Sequence, residues 1–108
     1  MPVAPFRVEV VDEAIDDLEE IATYWGRRGE AWRGEKYQRD LLHKARAELS
    51  DRSAALRGRL VKGIGFPGAR EILAFGVYRI IYEIDETAGV VNVLRFWHAH
   101  RDEPERDA

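Results

Sequence analysis

Two arginines, Arg79 and Arg95, stand inside apolar, β-branched runs, Val77 to Ile84 and Val90 to Trp97. A guanidinium so placed is a planar, permanently charged donor fitted to phosphate or carboxylate. Trp97, His98, His100 and Arg101 follow closely, and a glycine-rich stretch upstream carries Arg57, Arg59 and Lys62. The chemistry open to such a set is anion binding or, with an imidazole as acid or base, acid–base attack on a bound phosphate ester. That reaction needs a base, an acid and cations for the developing phosphorane charge. Arg79 and Arg95 would be the clamp, and His98 or His100 the proton carrier. His98 and His100 with Asp102 also alternate as ligands on one side of a strand do. Two histidines make an incomplete metal set, so an incidental pair is expected, and no metal or cofactor.

The elements that must position these residues follow from periodicity. Phe6, Val8 and Val10 alternate with Arg7 and Glu9, which predicts a first strand. Asp12 stands as an N-cap, and Ile15, Leu18, Ala22 and Trp25 recur at helical spacing up to Arg27-Arg28-Gly29. Tyr37, Leu41, Leu42, Ala45 and Leu49 predict a second helix, antiparallel to the first across a short link. Trp25 and Trp32, near the junction, are expected in the core. From Ser53 to Ala69 the periodicity fails, and five glycines and prolines predict a long loop. Glu71 to Phe75, Val77 to Ile84 and Val90 to Trp97 then predict a three-stranded meander. The fold class is α+β, in the order β-α-α-β-β-β, a helical hairpin on one face of a small, mostly antiparallel sheet.

Parity assigns the sheet faces. Tyr78, Ile80, Tyr82 and Ile84 are expected toward the helices, with Val90, Asn92, Leu94 and Phe96 beside them if Val90 lies opposite Ile84. Val77, Arg79, Ile81, Glu83, Val91, Val93, Arg95 and Trp97 would then share the other face, with Arg79 directly opposite Arg95. Like charges so placed repel. Either an anion sits between them, or Glu71 and Glu83 neutralise them within the sheet.

The chain has 108 residues, enough for one core, so residues 1–100 are expected to form one domain and 101–108 a charged tail. It has no cysteine, which excludes disulfides and thiolate chemistry and suits the cytoplasm. No leader or membrane span is expected. The net charge of −3 argues against coating nucleic acid. Asp12 to Glu20 holds six acids and no base, which predicts a solvated acidic face, while Arg57, Arg59, Lys62, Arg70 and Arg79 face Glu71 alone and predict a basic region.

Arg70-Glu71-Ile72-Leu73, Gly76-Val77-Tyr78-Arg79-Ile80-Ile81-Tyr82-Glu83 and Val93-Leu94-Arg95-Phe96-Trp97-His98-Ala99-His100-Arg101-Asp102 resemble the C-terminal half of the ParE/RelE toxin superfamily. Ala14-Ile15-Asp16-Asp17-Leu18 in the first helix extends the resemblance over almost the whole chain. The resemblance implies the toxin of a type II toxin–antitoxin pair, a cytoplasmic protein forming a hetero-oligomer with its antitoxin. It implies one of two targets: DNA gyrase, as for ParE-like members without a catalytic centre, or the ribosome and its messenger RNA, as for RelE-like ribonucleases. Arg79 matches the arginine with which the ribonucleases hold the scissile phosphate, and His98 falls near their catalytic or basic position. Their general base and lysine-rich surface find no clean match here. Charge and missing chemistry favour gyrase, with the ribonuclease and an inactive binding module of the same fold as alternatives. Target contacts are expected from Lys62, Arg79, Arg95, Trp97, His98, His100 and Arg101, and antitoxin contacts from Ile81, Val91, Val93 and Trp97.

Overall fold

In the computed structural model, residues 3–62, 65 and 67–99 are described. The chain runs through β1 (Arg7–Val10), α1 (Asp12–Arg27), α2 (Ala31–Leu49), α3 (Arg52–Leu56), β2 (Arg59–Leu60), β3 (Arg70–Ala74), β4 (Tyr78–Asp85) and β5 (Val90–His98). The five strands form one sheet in the order β1-β5-β4-β3-β2, with β1 parallel to β5 and the other pairs antiparallel. This is the expected α+β architecture with two short additions.

Local chemistry explains the helix ends. Asp12 and Glu13 lie in the first turn of α1, near the positive end of its dipole, while the N-cap position itself is Val11. At the other end Gly29 takes φ +79°, its N–H donating to the Gly26 carbonyl at 3.1 Å and that of Glu30 to the Trp25 carbonyl at 2.8 Å. This double bond closes α1 and turns the chain at once into α2. The helices cross closely at Gly34, where a Cβ would meet the Ala22 Cα at 2.9 Å.

The expected long loop contains α3 and β2. Asp51 caps α3, accepting from the N–H groups of Ser53 (2.9 Å) and Ala54 (3.3 Å). One turn of helix is too short to show a period, so only this cap and the helix formers behind it carried a signal.

Leu18, Ile21, Leu41, Ala45 and Leu49 pack against Phe6, Ile80, Tyr82, Val91, Val93 and Phe96 to form the core. The buried Tyr82 hydroxyl donates to the Ala55 carbonyl at 2.6 Å, fixing α3 on the sheet. The Tyr78 hydroxyl accepts from Trp25 Nε1 at 3.2 Å. Burial raises the pKa of both phenols above 10.0. The folded state therefore holds their protons more tightly than the unfolded chain, and stability is lost as pH rises above about 10. Chemical denaturation between pH 8 and 11 should show this fall, and Tyr82→Phe should make it shallower.

Candidate functional site

The register of β5 corrects the expected face assignment. Val91 pairs with Ile84 and Val93 with Tyr82, one residue out of the expected phase, and a bulge at Leu94 restores the phase before Arg95. Val91 and Val93 consequently lie in the core, fully buried, and not on the open face expected to meet an antitoxin. Leu94 moves to the far face, where it packs with Ile81 and Ala69, flanked by Val11, Val61 and Trp97. Ile81 is therefore also fully buried, under the segment that follows β2, and is not an open contact. A bulge inserts one residue and flips the alternation, which sequence parity does not reveal.

Arg79 lies opposite Trp97 and Arg95 opposite Ile81, so the two arginines are not a facing pair. Two rows cross the far face: Arg59, Glu71, Ile81 and Arg95, and beside it Leu73, Arg79 and Trp97. Glu71, 4% exposed, joins the rows. Its Oε1 accepts from Arg59 Nε (3.0 Å) and Nη2 (2.6 Å), and its Oε2 from Arg79 Nε at 2.5 Å. Arg79 is only 5% exposed.

Arg95 is taken up from another direction. Asp17 of α1, 5% exposed, receives Arg95 Nε and Nη2, each at 2.8 Å, and the backbone N–H of Phe96 at 3.0 Å. β1 pairs with β5 only as far as Val93, so Asp17 takes over an edge N–H that the neighbouring strand leaves behind. The guanidinium of Arg95 also lies 4.7 Å from the centre of the Trp97 ring. Asp17 is thus a buried ligand and not part of a solvated acidic face. Its place three residues after Ala14 and four before Ile21, on the apolar stripe, is the signal that could have revealed it.

His98 lies on the side opposite to Arg79. It pairs with Tyr78, whose ring it meets edge-on at 5.7 Å, and lines an open groove with Asp16, Glu19, Glu20, Tyr24 and Phe96. The sheet separates this imidazole from the Arg79 guanidinium, so the conditional catalytic set of Arg79, Arg95 and His98 does not share one face. Of the other expected contacts, Lys62 is exposed beyond β2, and His100 and Arg101 lie outside the described residues, as does Asp102 of the His98–His100 metal reading. The basic region from Arg57 to Arg79 is largely bonded internally: Arg59 and Arg79 share Glu71, and Arg70 donates to the Gly58 carbonyl at 2.8 Å. Trp32, expected in the core, is 61% exposed, while Trp25 packs against the core. The sequence reading also missed Leu73 and Phe75, both more than half exposed beside this face and at the β3–β4 turn.

A hairpin of helices over a five-stranded sheet with these proportions is found in solved toxin–antitoxin structures. One chain in the chromosomal ParDE TA system from P. aeruginosa superposes with a TM-score of 0.71 at 16% identity, over 86% of this chain and 95% of that one. A chain of the toxin–antitoxin complex RelBE2 from Mycobacterium tuberculosis gives 0.69 at 22% identity, over 93% and 98%. These likenesses define the fold class. The family model described as ParE toxin of type II toxin-antitoxin system, parDE, matches residues 8–103, and the chain belongs to that family. Among curated proteins no sequence matches. No helix among the described residues is long and apolar enough to cross a membrane.

Proposed function

We propose that this ParE-family toxin arrests growth in the cytoplasm by binding DNA gyrase without catalysis, and that a cognate antitoxin neutralises it. The observation that supports a noncatalytic role is the separation of His98 from Arg79 by the sheet, with Arg79 and Arg95 already engaged by Glu71 and Asp17. A phosphoryl-transfer site needs its acid or base and its cations around one phosphate. The net charge of −3 also disfavours docking on ribosomal RNA.

The antitoxin surface moves with the corrected register. Leu73 and Trp97 flank Arg79 on the far face, and Phe75 stands at the adjoining turn, held at φ +54°. β2 pairs only with Arg70 and Glu71, so among the described residues no strand lies along the outer edge of Ile72–Ala74. An added partner strand would satisfy that edge while its side chains cover Leu73 and Phe75.

Induced expression without the antitoxin should stop growth, and the purified protein should inhibit supercoiling by gyrase. His98→Ala should inhibit as well as wild type, while Trp97→Ala, removing an aromatic anchor, should weaken inhibition about tenfold or more. Messenger RNA cut within codons on purified ribosomes, and lost with His98→Ala, would replace this reading with the ribonuclease. Gyrase untouched at large molar excess would remove its support.

A further inference from the structure

The outward faces of the two long helices carry opposite charge. Opposite the buried Ala14, Leu18 and Ile21, α1 presents Asp12, Asp16, Glu19, Thr23 and Arg27, all exposed. Opposite the buried Gly34, Leu41 and Ala45, α2 presents Trp32, Lys36, Arg39, His43 and Arg46, also all exposed. Both sets advance by three or four residues at a time, so each is one line of side chains about 5–6 Å apart along its helix. Two acids flank the line on α2: Asp40, to which Lys36 donates at 2.5 Å, and the exposed Glu35. Asp40, at its border, registers the local positive field: the hydrogen bond from Lys36 holds its carboxyl below the usual range, and the charges of Arg39 and His43 act in the same direction.

The antiparallel hairpin fixes how the two lines stand to each other. Gln38 donates to the Leu18 carbonyl at 2.9 Å and Gly34 lies against Ala22, so the acidic half of α1 is level with the C-terminal half of α2. A two-fold axis running along the hairpin would place α1 of one copy over α2 of the other, antiparallel, and repeat the same contact on the other side. Asp12 and Asp16 of one copy would then come beside Arg46 and His43 of the second, and Glu19 beside Arg39. Arg27 would approach the exposed Trp32 ring, over which Arg33 already lies at 5.3 Å.

We propose that the outward face of the helical hairpin binds a second copy of this chain through this matched charge. The match of sign between the N-terminal half of α1 and the C-terminal half of α2 selects this occupant over a polyanion. The net charge of −3 opposes nucleic acid, whereas each copy here supplies both signs. The surface lies across the sheet from Leu73, Arg79 and Trp97, so the association leaves that face open and does not depend on the proposed target.

Sedimentation of the full chain over a wide concentration range tests this. A dimer that weakens with salt is expected. Arg39→Glu with Arg46→Glu, and separately Asp16→Arg with Glu19→Arg, should each weaken dimerisation by about 100-fold by setting like charges against each other. All four positions are exposed, and unchanged circular dichroism and melting of each variant would show the fold intact. An equimolar mixture of the two variants should dimerise again, because the signs then match on both sides of the contact. Arg39→Lys with Arg46→Lys should behave as wild type. A chain that stays monomeric throughout, a dimer indifferent to both reversals, or a mixture that does not associate would overturn the proposal. So would a monomer that retains duplex DNA through Arg39 and Arg46, since the basic line would then serve a polyanion.

Discussion

Asp17→Ala is expected to lower the free energy of unfolding by about 3–5 kcal/mol, the usual cost of removing one partner from a buried ion pair. The carboxylate takes two guanidinium bonds from Arg95 and the Phe96 N–H, so its loss withdraws three acceptor contacts at once. The effect should reach beyond the pair, because Asp17 ties α1 to β5 just past the bulge, where β1 no longer supports it. Urea unfolding followed by circular dichroism measures the loss. Asp16→Ala, at the neighbouring exposed position, is the control and should shift stability by no more than about 0.5 kcal/mol. Equal effects at the two positions would show that Asp17 is solvated, and the ion pair incidental.

Gly58→Ala is the second large effect. A Cβ at this position would fall 1.8 Å from the Tyr82 hydroxyl oxygen and 2.8 Å from its ring carbon, while Arg70 Cβ lies at 3.3 Å. Tyr82 is fully buried and bonded to the Ala55 carbonyl, so it can yield only by breaking that bond and shifting in the core. Overpacking typically costs about 1–3 kcal/mol, and the lost hydrogen bond adds about 1 kcal/mol more. Thermal melting should show a clear drop in Tm for Gly58→Ala. Combining it with Tyr82→Phe, which removes the clashing oxygen, should recover part of the loss and give a total smaller than the sum of the single effects. Strict additivity of the two changes would mean that the glycine does not make room for the phenol.

Both effects depend on contacts that sequence reading reached only in part. Glu71 was one of two acids expected to neutralise the arginines, and it does bind Arg79. Arg95 instead goes to Asp17, 78 residues away in the chain, a distance over which no local pattern operates. Gly58 looked like loop punctuation, and only the approach of Tyr82 shows why a side chain is excluded there. Indoles usually lie in cores, yet the helical phase of Trp32 places it with Lys36 and Arg39 on the outward side.

The sequence by itself determined the kinds and order of the main elements, the turn of α1 into α2 at Gly29, the α+β class and the resemblance that the ParE toxin family model bears out. These follow from period, capping and turn chemistry, which act over a few residues and are written in adjacent positions. Tertiary structure alone decided which face of β5 is buried, because the bulge at Leu94 reverses the alternation partway along the strand. It also decided that Arg79 and His98 lie on opposite sides of the sheet, and that Arg95 is held from a helix. Register and ion pairing are settled by the packing of distant segments against one another, where a shift of one residue exchanges buried and exposed side chains.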